Sequence, residues 1–194
     1  MLTSSDNASA FENDWRYKQS LLGRPIADKL YRQTFGPKIA IERTDRYEQK
    51  VLDIQFAIDL QITFPCGFIL LGQEKFLSAE QAKYKTLTVE FMQDPKTGEG
   101  GDWFKLAAQF YFCGYFTRDQ KDFDPWVLVN WPAVVLATHT GQIKWGERQN
   151  MDGRARASFR FCYIHALPVA CIIASSREPI RLLPLQPRLT LWQT

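Results

Sequence analysis

Asp59, Gln73, Lys75 and Glu90 are the residues of this chain whose types and spacing best suit chemistry. Carboxylates offer hard oxygen ligands to a divalent cation such as magnesium. An ammonium beside them can position or deprotonate a water and offset charge on a phosphate. Together these groups fit metal-assisted hydrolysis of a phosphodiester. They are distant in sequence, so the chemistry depends on the elements that gather them.

A long β-hairpin is the expected device. From Leu52 to Phe64 the even positions are apolar (Leu52, Ile54, Phe56, Ile58, Leu60, Ile62, Phe64), and the odd ones are Asp, Gln, Ala or Thr. This period of two predicts one strand with an apolar and a polar face. Pro65-Cys66-Gly67 reads as a turn and Phe68–Leu77 as the returning strand. A turn centred on Cys66 pairs residues whose numbers sum to 132. Asp59 then faces Gln73, and Ala57 faces Lys75. The alternative register would put Phe68 and Leu70 among the polar residues. Thr86–Met92 alternates again, and as the adjacent strand it would add Glu90 to the polar face. Glu74 points to the apolar side, which demands a bulge or a partner. A solvated face of an antiparallel sheet would carry the same residue types, but Gln-x-Lys at the paired position favours a metal site.

Elsewhere, Trp15–Gly36 reads as a helix with Leu22, Ile26 and Leu30 on one stripe, ended by Gly36-Pro37. Asp102–Leu106 suggests a short helix capped by Asp102. Gln109–Phe116 and Trp126–Trp131 read as strands, Pro132–Thr138 as a helix opened by proline, and Ser158–Ile173 as a strand pair or one strand bent at Pro168. The sum is an α+β domain with a mixed sheet, an N-terminal helix, a long hairpin and flanking helices. Residues 1–14 are expected to be a loose leader, 15–176 a single domain, and 177–194, with three prolines, an extended arm.

Ile58-Asp59, the hairpin, Gln73-Glu74-Lys75 and the order of elements resemble the PD-(D/E)xK, or restriction-endonuclease-like, nuclease superfamily over roughly residues 20–131. The resemblance implies that Asp59 binds metal and that Lys75 is the conserved-pattern lysine. Gln73 stands where the pattern has a carboxylate. Either Glu90 or Glu74 compensates, or the site is weak or inactive. A further acidic ligand from the preceding region would be Glu48, with Glu42 second. Thr88-Val89-Glu90 followed by Gly101-Asp102-Trp103 also looks like some of these nucleases. The resemblance implies a magnesium-dependent DNA endonuclease, with manganese as a substitute and a homodimer compatible with it.

Composition is consistent with that reading and narrows it. The 194 residues are 45% hydrophobic, 14% aromatic and 23% charged, with a net charge of +3, which describes a folded chain. Lys144, Arg148, Arg154 and Arg156, followed by Arg160, could grip phosphates. The aromatic run Trp103–Phe116 fits core packing better than base stacking. No apolar run reaches the roughly 18 residues of a membrane span, and Met1–Asp14 lacks the order of a signal peptide. A cytoplasmic protein with no membrane partner is therefore expected. Cys66, Cys113, Cys162 and Cys171 form no C-x-x-C pair and read as reduced, buried thiols. His139 and His165 have no partners at metal spacing. The rival readings are an inactive nuclease-like fold that binds nucleic acid or serves assembly, and an interaction module whose C-terminal arm forms an oligomer.

Overall fold

A computed structural model describes residues 15–44, 50–149 and 157–177. Helix α1 (Trp15–Phe35) is followed by strand β1 (Ala40–Arg43), helix α2 (Lys50–Phe56), β2 (Leu60–Thr63) and β3 (Ile69–Leu77). A 3-10 turn, Ala79–Tyr84, leads to β4 (Thr86–Asp94) and β5 (Glu99–Gly100). A second 3-10 turn, Asp102–Phe104, precedes β6 (Phe110–Phe116), β7 (Phe123–Asn130), helix α3 (Trp131–His139), β8 (Gly146–Gln149), β9 (Ser158–Tyr163) and β10 (Ile172–Ser175). The strands form two sheets, a six-stranded one ordered β1-β2-β3-β6-β7-β10 and a four-stranded one ordered β5-β4-β9-β8. Only β3 and β6 pair in parallel; the other pairs are antiparallel. The fold is mixed α+β.

The hairpin register is the expected one: Leu60 pairs with Gly72 and Thr63 with Ile69, numbers that sum to 132. The length of its first strand is not. Lys50–Phe56 is helical, and Ala57, at φ 47°, closes that helix. The Ala57 N–H donates to the Asp53 carbonyl (3.0 Å) and that of Ile58 to Leu52 (3.1 Å). The alternation over 52–56 is therefore not a core signal, and Ile54 and Phe56 are exposed. The ladder of β2 stops at Leu60, opposite Arg43 at the end of β1 and Gly72 of β3. Asp59 stands just ahead of it, its N–H bonded to the Gly72 carbonyl (2.9 Å) and its carbonyl accepting from the Thr44 N–H (2.8 Å).

A second correction concerns β4. It does not lie beside β3, which pairs with β6 instead, but belongs to the smaller sheet. That sheet stands on the larger one by an edge of β4. The Tyr111 hydroxyl donates to the Thr88 carbonyl (2.7 Å), and the Tyr115 hydroxyl and Cys113 thiol donate to the Thr86 carbonyl (2.8 and 3.6 Å). Side chains alternate along β4 and its partner β9. Leu87, Val89 and Cys162 enter a core with Tyr111, Val127, Val129 and α3. The other parity, Thr86, Thr88 and Glu90 with their register partners Tyr163, Phe161 and Phe159, lies on the opposite face.

The second core packs Ala27, Leu30 and Tyr31 of α1 against Leu60, Ile62, Phe110, Phe112 and Leu128. Leu22, expected on the buried stripe, is exposed. Gly36, at φ +107°, ends α1 in a conformation that favours glycine. Asn130 caps α3 by accepting from the Ala133 N–H (3.1 Å). Ser158–Ile173 divides between the two sheets as β9 and β10, and Cys66 is exposed while the other three cysteines are buried. No helix among the described residues is long and apolar enough to cross a membrane.

Candidate functional site

The corner between the two sheets holds the candidate site. On β3, Gln73 and Lys75 are the register neighbours of Tyr111 and Cys113 on β6, so they share the face on which the smaller sheet stands. The β2–β3 ladder ends at Leu60 and Gly72, and Asp59, just ahead of it, bonds its N–H to the Gly72 carbonyl (2.9 Å). The Asp59 Oδ2 accepts the Glu74 N–H at 2.9 Å, which ties the carboxylate to the centre of β3. The Lys75 ammonium lies 5.5 Å over the Phe159 ring. Phe159 is the register partner of Glu90, so the ring under Lys75 belongs to the rung of the small sheet that carries Glu90.

Gln73 is 7% exposed, and its Oε1 is buried without a hydrogen-bond partner. A buried acceptor left in this way costs about 1–3 kcal/mol unless a water or ion serves it. The Asp59 carboxyl is pushed up to about 8, first by desolvation and then by the charges of Glu74, Asp53 and Asp102, against the opposing pull of the Glu74 N–H. Tyr111 is raised well above the usual phenol range by burial, and by Cys113, Asp102, Asp59 and Glu90. Those three carboxylates therefore bear on one buried hydroxyl.

Asp102 reaches this group through its backbone. A Cβ on Gly101 would stand 2.8 Å from both Cγ and the carbonyl oxygen of Glu90, so only glycine lets the turn come this close. Lys105 pairs with Asp102 (3.4 Å) and donates to the Ile54 carbonyl (3.0 Å), latching the turn to α2 just ahead of Asp59. Asp102 was expected only as a helix cap and as part of the resemblance, and Tyr111 only as core. Their place beside Asp59 follows from the parallel β3–β6 pairing, which carries no local signal.

Glu74 is on the other face of β3. Its carboxylate accepts from Arg43 Nε and Nη2 (3.0 Å each) and from the Tyr31 hydroxyl (3.0 Å), while Arg43 also pairs with Asp28 (2.7 Å). These are the partners that the pattern demanded for a charge on the apolar side. They correct the expectation of Glu74 as a metal ligand, because its oxygens serve α1 and β1. Glu42 is exposed on β1 and accepts from Gln61 (3.0 Å). Glu48, Arg154 and Arg156 lie outside the described residues. Lys144 and Arg148 are exposed. Arg160 does not offer itself to a phosphate, because its guanidinium stacks 3.8 Å from the Phe91 centroid and 4.7 Å from that of Trp103.

Among the described residues, no three Asp, Glu, His or Cys side chains converge as a closed metal-binding group. The donor set of the corner is instead an open one, a carboxylate and an amide oxygen with further carboxylates nearby. Magnesium suits such a set, since it keeps several waters and takes few protein ligands. No protein-family model matches the chain, no curated protein matches its sequence, and no solved structure matches its fold.

Proposed function

We propose that the protein is a magnesium-dependent endonuclease with a restriction-endonuclease-like core that hydrolyses DNA phosphodiester bonds. One observation carries the reading: Asp59, tied to the Glu74 N–H of β3 (2.9 Å), stands beside the strand on which the buried, partnerless Oε1 of Gln73 and the side chain of Lys75 share a face. Asp59 and Gln73 would hold the ion, with Asp102 and Glu90 as further carboxylates around Tyr111. When bound, magnesium supplies positive charge for a phosphate oxygen and acidifies a coordinated water.

The chain's own groups do the rest. Lys75 donates to a non-bridging phosphate oxygen or orients the attacking water, and the Phe159 ring fixes where its ammonium can sit. The Glu74 N–H orients the Asp59 carboxylate. Tyr111, anchored on the Thr88 carbonyl, forms the floor between the two walls.

The second reading is a nuclease-like fold that binds nucleic acid without cutting it. Its support is the neutral amide of Gln73 where the nuclease pattern has a carboxylate. One gel separates the two. Supercoiled, linear, branched and single-stranded DNA are incubated with magnesium, manganese or EDTA beside the Asp59→Ala variant. Metal-dependent cutting lost in the variant supports the nuclease. Folded protein that binds but cuts no substrate supports the second reading.

A further inference from the structure

The face of the small sheet that carries Glu90 does not end at Lys75. Phe159, Phe161 and Tyr163 follow one another along β9 on that face, with the last two rings 6.3 Å apart at 82°. Tyr163 is 50% exposed. Arg148 on β8 is the register partner of Phe159 and reaches the ring of Tyr84 at 5.6 Å. Lys83 covers the same ring at 5.2 Å, and Tyr84 is 43% exposed. An open sheet face ordinarily alternates polar residues toward water. This one presents aromatic rings, with Lys75 beside Phe159, Lys83 and Arg148 beside Tyr84, and His165 stacked on one face of Tyr163 at 5.3 Å.

The Tyr84 corner is held in place. Lys85 adopts φ 51°, a left-handed conformation that costs a residue with a Cβ about 1 kcal/mol or more. Its N–H bonds to the Ala82 carbonyl (3.2 Å), and its own carbonyl accepts from the Ile164 N–H (3.0 Å). That second bond joins the turn carrying Tyr84 to the end of the strand carrying Tyr163. The rings thus stand on a fixed backbone.

We propose that this strip is a track for an unpaired DNA strand, with bases stacked on Tyr84, Phe161 and Tyr163 and phosphates on Arg148 and Lys83. The proposal rests on the nuclease reading for its choice of DNA and adds the substrate form: a single-stranded or branched segment entering the corner at Lys75. Exposed rings reward open base faces, which a duplex hides, and cations beside the rings match the backbone charge. The strip is also continuous with the candidate site through the Lys75–Phe159 contact.

The test is fluorescence anisotropy in EDTA, where cutting plays no part. The probes are a labelled oligothymidylate of about a dozen nucleotides and a blunt duplex of the same length. Wild type is expected to bind the single strand at least about ten-fold tighter than the duplex. Tyr84→Ala and Tyr163→Ala should each weaken it by about five-fold or more, with Tyr163→Phe close to wild type. Arg148→Ala should weaken binding and flatten its salt dependence. Equal affinity for duplex, or alanine variants that bind like wild type, would overturn the track. So would a change in sedimenting mass in place of a change in DNA affinity, which would make the face a contact between copies of the chain. Magnesium-dependent cutting of single-stranded and branched DNA by Tyr163→Ala at the wild-type rate would likewise remove the track while leaving the nuclease reading intact.

Discussion

The Asp59 carboxylate accepts the backbone N–H of Glu74 at 2.9 Å, while the Glu74 carboxylate turns through the sheet to Arg43 and Tyr31. One residue of β3 thus serves both faces: its amide orients the candidate ligand, and its side chain clamps α1 and β1. The two acidic residues next to the corner have opposite duties, and they should fail in opposite ways.

Glu74→Ala leaves Arg43, whose side chain is 11% exposed, without its main partner. Breaking a buried pair in this way costs about 3–5 kcal/mol. Denaturant unfolding should show a midpoint shift of that size. Arg43→Met combined with Glu74→Met should recover part of it, because the buried guanidinium goes with its main partner, while Asp28, partly exposed to water, and the Tyr31 hydroxyl lose theirs. A small loss for Glu74→Ala alone would mean that Asp28 satisfies Arg43 by itself.

Lys75→Ala should leave the unfolding midpoint nearly unchanged, since the side chain is half-buried and packs only its ammonium on Phe159. Cleavage should fall by about 10²- to 10⁴-fold, the usual contribution of a group that handles a proton or a developing charge. Cleavage at the wild-type rate by the folded variant would remove Lys75 from the mechanism.

Gln73→Glu adds a buried carboxylate on the strand to which Asp59 is tied. Without metal the variant should melt below wild type, through like-charge repulsion and desolvation. Saturating magnesium should raise its melting temperature more than it raises that of wild type, because a carboxylate is the stronger ligand. Thermal melts with magnesium and with EDTA measure both effects. No difference in the magnesium response would place the ion away from position 73.

Asp59 sets a pH dependence in the metal-free protein. Its carboxyl rises from 3.8 to about 8 on folding. Below roughly pH 4 both folded and unfolded chains hold this proton, and its contribution to stability is complete. Between roughly pH 4 and 8 only the folded chain holds it, so stability falls as pH rises, by at most about 1.4 kcal/mol per pH unit, and levels off above that window. Asp59→Asn should abolish this slope. Denaturant midpoints at pH 5, 7 and 9 in EDTA test it, and parallel curves for wild type and variant would refute it.

Local pattern was a good guide where one face of an element meets one core. The hairpin register was legible because a slip of one residue would have turned Phe68 and Leu70 into the polar face. The need of Glu74 for a partner was legible from parity, and the helix at Trp131–His139 from its proline. Period two misled over 52–56, because alternation states which residues differ and not whether neighbouring strands exist to pair with them. Over Lys50–Phe56 the chain coils into a helix instead.

Sequence by itself therefore determined the hairpin register, the placing of Gln73 and Lys75 on one face of β3, and the exile of Glu74 to the other. Each follows from the two-residue repeat of a strand and one turn. Only the tertiary structure decided that Lys75 lies over Phe159 of another sheet, that the charges of Asp59, Asp102 and Glu90 act on Tyr111, and that Arg160 is stacked between rings while Arg148 is exposed. Those relations rest on the parallel β3–β6 pairing and on β4 standing by its edge upon the tyrosines of β6. Both join residues far apart in the chain, and their stabilisation comes from burial that no local window of sequence records.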